Sequence, residues 1–145
     1  MYFVDRAKIE ETLVFLDKNI DIFMQLNDLD HTFQKATLER VAHMMLDSVL
    51  DVGNMMIDGF IMRDPGSFDD IIDILLDEKV ITEEMAESFM KVIPYRKSLV
   101  QYYTNIDHKK VYTTFKENLT AFSQYPDKVR TYLEKELGPV SAFKA

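Results

Sequence analysis

Hydrophobic side chains recur every three or four residues along almost the whole chain, and no segment alternates strictly between apolar and polar positions. The first such segment is predicted to form a helix over 5–26, ahead of a polar break at 27–30. Its single apolar stripe consists of Ile9, Leu13, Leu16, Ile20 and Phe23. This spacing is typical of amphipathic helices and not of strands, so the pattern predicts an all-α fold.

A long second helix is predicted over 32–62, and it carries an apolar and a polar stripe. The apolar stripe consists of Leu38, Val41, Met45, Val49, Val52 and Met56. The polar stripe, with spacings of four, three and four, consists of Asp47, Asp51, Asn54 and Asp58. A polar row of this kind faces either solvent, which is the simpler interpretation, or a cleft. Gly53 and Gly59 lower the helix propensity, and we expect a neighbouring helix to approach closely there.

Turn and capping residues divide the rest of the chain into further helices. Side chains suited to an N-cap precede three of them: Ser67, Thr82 and Asp107. Proline removes a backbone donor, so we expect a kink in the fourth helix at Pro94 and an end or kink of the fifth at Pro126. The third helix is predicted over about 68–77 and the last over 127–137, before an apolar tail at 140–143 that we expect to dock.

Length and composition fit a single domain over 1–145, and the helical spacing predicts a bundle of five or six helices. Apolar residues make up 47% of the chain, yet no run approaches the roughly 18 apolar residues of a membrane span. The start of the sequence has no charged leader followed by an apolar stretch, so we expect a cytoplasmic protein. There is no cysteine, which excludes disulfides, thiolate zinc sites and cysteine nucleophiles.

The charge balance limits what kind of nucleic-acid contact the chain could make. The formal net charge is −8, whereas proteins that coat DNA or RNA are normally basic because lysine and arginine neutralise phosphates. The composition therefore argues against a general nucleic-acid coat. A small local RNA site remains compatible with it.

The stretch 95–103 carries the most distinctive chemistry of the sequence. Within two to three predicted helical turns it contains Arg96, Gln101, Tyr102 and Tyr103. An arginine holds phosphate with a planar fork of donors, and a tyrosine can hydrogen-bond, stack or carry a modification. Together they suggest a site that handles phosphate, including that of RNA. Spacing alone favours a simpler interpretation, with Arg96 as a surface charge and the tyrosines at the edge of the core.

Helical geometry constrains how these side chains could meet. Arg96 and Tyr103 are seven residues apart, so on an ideal helix they point nearly the same way, whereas Gln101 points about 140° from Arg96. A kink at Pro94, or a second copy of the helix across a two-fold axis, could bring Arg96 and Gln101 together. If the polar stripe of the second helix faces Arg96, it would orient the guanidinium by bidentate contact.

Other catalytic constellations find little support in the sequence. His43 and Asp47 are four residues apart on one helix and could hold a metal, but a catalytic zinc site needs three protein ligands. No third ligand is apparent, so we expect no metal and no cofactor. A glycine-rich phosphate loop, a Gly-x-Ser-x-Gly elbow and a His-Glu-x-x-His motif are absent from the sequence.

Several segments follow one another as they do in a known family: 51–54, 67–70, 75–81, 95–103 and 132–141. Over nearly its whole length the chain resembles HepT-like proteins of the HEPN superfamily, and most of all the bacterial YutE-type branch. The resemblance implies an up-and-down helical bundle that pairs into a two-fold homodimer with a cleft between subunits. In active members, a motif of arginine, four residues, histidine, one residue and tyrosine lines that cleft and cleaves RNA without a metal. Many members are toxins paired with a small nucleotidyltransferase antitoxin, which can add AMP to the motif tyrosine.

The resemblance assigns catalytic positions to three residues of this chain. Arg96 occupies the arginine position and Tyr103 the tyrosine position, where it is also the candidate for modification. Gln101 stands where the family has histidine, and Lys97 where asparagine is common. Histidine titrates near neutrality and can exchange protons with the 2′-hydroxyl or the leaving oxygen, whereas glutamine cannot. The chain is therefore either a weak or inactive nuclease or a nuclease in which another group replaces the histidine.

Three hypotheses follow for function. In the first, the chain is a HepT-like ribonuclease toxin in which Arg96 binds the scissile phosphate, with Asp51, Asn54, Lys97 and Tyr102 lining the cleft. In the second, it is a HEPN dimer without catalysis that binds a nucleotidyltransferase, a nucleotide or RNA. In the third, it is a purely structural dimer. Lys97 and Tyr102 are conceivable substitutes for the missing histidine.

Overall fold

Seven α-helices make up residues 3–138 of the computed structural model, which is the part of the chain that the structure describes. They are α1 Arg6–Met24, α2 Thr32–Gly59, α3 Phe68–Asp77, α4 Glu83–Val92, α5 Tyr95–Val100, α6 His108–Glu117 and α7 Leu119–Leu137. No strand occurs within 3–138, so the predicted all-α bundle is confirmed. The predicted docking tail at 140–143 lies outside the described residues.

The long helix α2 is the centre of the bundle. It packs against α1, α3, α5, α6 and α7. Both predicted apolar stripes are buried: Ile9, Leu13, Leu16, Ile20 and Phe23 on α1, and Leu38, Val41, Met45, Val49, Val52 and Met56 on α2. From α7 the phenol of Tyr125 donates a hydrogen bond of 2.9 Å to the Val49 carbonyl, which satisfies a polar group inside this core.

The predicted close approach of a neighbouring helix is confirmed at Gly53, whereas at Gly59 the close neighbour is the segment before α1. A Cβ atom added at Gly53 would lie 2.6 Å from Cγ2 of Ile71 on α3. One added at Gly59 would lie 2.8 Å from Cγ2 of Val4. Because such contacts leave no room for a side chain, glycine allows α3 to lie directly on α2, beside the polar stripe of that helix.

The capping residues act as predicted. The side chains of Ser67, Thr82 and Asp107 accept hydrogen bonds from backbone N–H groups at the starts of α3, α4 and α6, respectively. They satisfy donors that have no partner within the helix. The predicted fourth helix is interrupted before Tyr95, so that it forms the two segments α4 and α5.

Two predicted boundaries are wrong. The helix α2 ends at Gly59 and not at 62, because Ile61 adopts a left-handed backbone with φ 56° and Met62 N–H donates back to the Ile57 carbonyl. The break between the last two helices lies at Asn118 and not at Pro126, which sits inside α7. The Asn118 side chain donates to the Thr114 carbonyl at 2.8 Å, and this contact accompanies the end of α6.

None of the helices formed by residues 3–138 has both the length and the apolar character that crossing a membrane requires.

Candidate functional site

The candidate site centres on Arg96, in the first turn of α5. Its Nε donates a hydrogen bond of 2.8 Å to Oδ1 of Asp47, in the middle of α2. The Arg96 side chain is 27% exposed and that of Asp47 is 23% exposed, so the pair lies at a partly sheltered edge of the bundle. The interruption before α5 and the packing of α5 on α2 place the two side chains together. The polar stripe of α2 therefore faces Arg96.

The second carboxylate oxygen of Asp47 contacts a histidine. Nε2 of His43 lies 2.8 Å from Oδ2 of Asp47, one helical turn along α2. The predicted bidentate contact between the stripe and Arg96 is thus replaced by a bridge, with one carboxylate oxygen for the guanidinium and one for the imidazole. Within 3–138 no group of three or more histidine, cysteine, aspartate or glutamate side chains could hold a metal ion.

An aromatic ring covers one face of the guanidinium. Cζ of Arg96 lies 4.5 Å from the centre of the Phe68 ring, at the start of α3. Within 3–138 the Arg96 side chain makes one hydrogen bond, from Nε to Asp47. Neither of its terminal nitrogens makes a hydrogen bond there. The guanidinium is therefore fixed along one edge and one face. Its two NH₂ groups are left to meet a ligand such as a phosphate.

The polar stripe of α2 continues into an open groove of about 750 Å³ between α1 and α2. Asp47, Asp51 and Asn54 line its α2 side, and Lys8 and Lys18 belong to its α1 side. Partial burial raises the pKa of Asp51 above its ordinary value, and repulsion from Asp47 adds to this, against the opposite effects of Arg96 and Lys8. Asp51 therefore interacts electrostatically with the Arg96 site and makes no hydrogen bond to it.

The other half of the predicted motif lies apart from this cluster. The expected continuation of the helix through 101–103 is wrong, since α5 ends at Val100 and the chain turns at Gln101. Gln101 and Tyr103 are both exposed, Tyr103 by 64%, and within 3–138 neither side chain makes a hydrogen bond. The Gln101 N–H donates to the Lys97 carbonyl at 2.8 Å, and this bond closes the last turn.

Lys97 and Tyr102 contact each other. Nζ of Lys97 lies 5.6 Å from the centre of the Tyr102 ring, and both residues are exposed. The structure thus brings Arg96 together with Asp47, and Lys97 together with Tyr102. Within 3–138 no side-chain hydrogen bond joins either pair to Gln101 or Tyr103, and Gln101 meets Lys97 only through the backbone.

Two members of the cluster were not predicted as site residues from the sequence. His43 was considered only as half of a metal pair, although its four-residue spacing from Asp47 was the signal for the observed contact. Phe68 gave no such signal, because its position over Arg96 depends on how α3 and α5 pack on α2.

Comparison with known proteins shows which family the chain belongs to. A family model described as "Ribonuclease HepT-like" matches residues 9–129. A protein of Bacillus subtilis (strain 168) with the name "Putative RNase YutE" is 51% identical over 144 residues, which is 99% of this chain and all of that protein.

Solved structures give the same result for the fold. The structure described as a cytosolic protein of unknown function, YutE from Bacillus subtilis, superposes with a TM-score of 0.94 at 50% identity, over 99% of this chain and all of that one. A tri-AMPylated Shewanella oneidensis HEPN toxin in complex with an MNT antitoxin gives 0.75 at 16% identity, over 85% of this chain and 96% of that one. A toxin–antitoxin structure with AMP-PNP gives 0.72 at 15% identity, over 83% and 96%. At these identities the last two show the fold alone.

Proposed function

Because this chain belongs to the HepT-like family of the HEPN superfamily, we propose that it is a ribonuclease of the toxin type, with Arg96 as the residue that binds the scissile phosphate. The name of the Bacillus subtilis relative supports an RNase activity. The proposed catalytic residues are Arg96, Gln101 and Tyr103, in a cleft that a second copy of the chain completes.

One observation carries the proposal. Arg96 is held by Asp47 and covered on one face by Phe68, yet its terminal nitrogens have no hydrogen-bond partner within 3–138. An arginine that is only a surface charge needs no such support. A guanidinium fixed in this way is already oriented when a phosphate arrives, so less side-chain entropy is lost on binding.

This arrangement favours stabilisation of the negative charge that develops on the phosphoryl oxygens in the transition state. In the proposed reaction the 2′-hydroxyl oxygen of RNA bonds to phosphorus and loses its proton, while the bond to the 5′ oxygen breaks and that oxygen gains a proton. Negative charge grows on the phosphoryl oxygens that Arg96 faces, and a fixed donor stabilises it. Gln101 can hydrogen-bond to these atoms but cannot take up or release the protons.

In the proposed dimer, the partner subunit places its Gln101 and Tyr103 positions near Arg96, which a single copy does not do. Exposed apolar side chains occur in two places: Val14 and Phe15 in the groove that Asp47 also lines, and Val100 at the end of α5. Exposed apolar groups rimmed by polar ones mark protein interfaces. A partner subunit that covers them would bring its own turn at 101–103 towards Arg96. Light scattering at micromolar concentration should give a dimer mass, and a monomer would contradict this part of the proposal.

The alternative is a catalytically weak or inactive HEPN dimer that binds a nucleotidyltransferase antitoxin, a nucleotide or RNA. The exposure of Tyr103 favours this alternative, because an antitoxin that adds AMP must reach the phenol. One solved structure with the same fold is an AMPylated toxin bound to an antitoxin, and Tyr103 is the residue that we propose for such a modification in this chain. We place either activity in the cytoplasm.

The first test compares cleavage of a mixed RNA pool by wild type, Arg96→Ala and Arg40→Ala. Arg40 is a suitable control because it is an exposed arginine of α2. Loss of one fixed donor to a transition-state charge costs about 10²–10³-fold, so Arg96→Ala should be nearly inactive and Arg40→Ala unchanged. Equal cleavage by wild type and Arg96→Ala would overturn the proposal. Absence of cleavage in all three would favour the binding alternative.

A further inference from the structure

We propose that His43 is a positioning residue for Arg96, which acts through Asp47 and makes phosphate binding at Arg96 depend on pH. The inference rests on the proposed function for its ligand, an RNA phosphate. It concerns a residue outside the 95–103 stretch and assigns a titratable group to a site whose motif position holds the non-titratable Gln101.

The contact between His43 and Asp47 connects the imidazole to the carboxylate that holds Arg96. Nε2 of His43 lies 2.8 Å from Oδ2 of Asp47, so a charge on the imidazole would act directly on the carboxylate that holds Arg96. The His43 side chain is 27% exposed, so protons can reach it from solvent.

Protonation changes the charge of the group that the phosphate meets. With a neutral imidazole, Asp47 and Arg96 carry −1 and +1, and the cluster is neutral overall. With His43 protonated the cluster carries +1. Histidine changes its charge between about pH 5 and 8, so the attraction for a phosphate should rise as the pH falls through this range and fall as the pH rises.

The other charged groups on the elements packed around the cluster of His43, Asp47 and Arg96 can be named one by one. From α5 the neighbour is Arg96, and from α6 His108 bonds to Glu39, one turn from His43. The charged side chains that α1 contributes to the groove beside Asp47 are Lys8, Glu11 and Lys18. Ion pairs of the other elements packed on α2 have different partners: Asp70 of α3 with Arg63, and Arg130 of α7 with Glu10.

His108 provides a matched control. Its Nε2 also lies 2.8 Å from a carboxylate oxygen, that of Glu39, and its side chain is 20% exposed. Within 3–138 Glu39 does not bond to an arginine, whereas Asp47 does. Both histidines therefore lie 2.8 Å from a carboxylate oxygen, and within 3–138 only the carboxylate beside His43 also bonds to an arginine.

The experiment measures binding of a 2′-O-methyl RNA oligonucleotide, which lacks the attacking hydroxyl, at about pH 5.5 and about pH 8. One added charge at about 8 Å, in surroundings close to water, corresponds to about two-fold tighter binding at the lower pH. Wild type and His108→Gln should show this change. His43→Gln should bind as wild type does at the higher pH and show little change at the lower, because glutamine can donate to Asp47 but cannot titrate.

His43→Ala separates positioning from charge. It removes the contact to Asp47 altogether, so it should bind more weakly than His43→Gln at both pH values. If His43→Gln follows the wild-type pH dependence, the inference is overturned. If His43→Gln and His43→Ala are indistinguishable at the higher pH, the positioning role is overturned.

A second readout does not depend on RNA. The NMR signal of the Arg96 Nε–H should shift with the same midpoint as the His43 imidazole in wild type and should not shift in His43→Gln. If wild type fails to bind the oligonucleotide, the proposed function fails at Arg96. The inference would then stand or fall on whether the Arg96 signal follows the His43 titration.

Discussion

The two halves of the 95–103 stretch are built differently, although they are adjacent in the chain. Arg96 lies in a helical turn, where it bonds to Asp47 at 2.8 Å and places its Cζ 4.5 Å from the centre of the Phe68 ring. Gln101 and Tyr103 follow the end of that helix, are exposed, and have no side-chain hydrogen bond within 3–138. One half is fixed by contacts inside the chain, and the other is not.

This difference indicates how the site is divided between folding and assembly. The Arg96 half depends on α2, α3 and α5, which pack together within one chain. Polar or aromatic side chains gain a defined position only when contacts offset the entropy of ordering them. Contacts that order Gln101 and Tyr103 must therefore come from a partner or a ligand, which is what the proposed dimer cleft would supply.

The largest effect is expected from placing a titratable side chain at position 101, in the exposed half. General acid–base help is worth about 10²–10⁴-fold, so Gln101→His should raise RNA cleavage by about 10²-fold or more if the two halves meet in the dimer. The measurement is the initial rate on a defined single-stranded RNA. Tyr102→His is the matched control, because it places an imidazole one residue away in the same exposed turn.

Failure of this variant would be equally informative. If Gln101→His and Tyr102→His behave alike, position 101 does not reach the reacting atoms. The exposed half would then serve binding or modification, as in the alternative function.

A smaller effect is expected from releasing the fixed half. Asp47→Ala removes the contacts to both Arg96 and His43, and a misplaced catalytic group commonly costs about 10²-fold. Because substrate can still be attracted by the freed guanidinium, we expect kcat to fall by about 10–100-fold with a smaller change in KM. Glu39→Ala, which breaks the equivalent contact to His108, should leave both constants unchanged.

The contrast between the halves also explains what the sequence could predict. Apolar spacing located the helices and their buried stripes, because burial of such a stripe is the main force that holds a helix in place. The caps at Ser67, Thr82 and Asp107 were predictable for a similar reason, since each satisfies donors within its own first turn.

Boundaries and tertiary contacts were less predictable. Pro126 reads as a helix end, but the buried side chains around it, among them Phe122, Tyr125 and Val129, hold the helix together without one backbone hydrogen bond. The end of α5 at Val100 and the position of Phe68 over Arg96 depend on how whole helices pack. The contact between His43 and Asp47 follows from local spacing, whereas the one from Asp47 to Arg96 joins residues 49 positions apart.

The smallest effect concerns the aromatic face of the fixed half. A guanidinium over an aromatic ring at an exposed site gains about 0.5–1 kcal/mol, so Phe68→Leu should weaken phosphate binding at Arg96 by about two- to five-fold. Leucine keeps an apolar side chain at the start of α3, so the packing of that helix should change little. The measurement is affinity for the same 2′-O-methyl oligonucleotide, with Phe33→Leu as the control, since Phe33 is 77% exposed and contacts His31. If Phe68→Leu binds as tightly as wild type, the orientation of Arg96 depends on Asp47 alone.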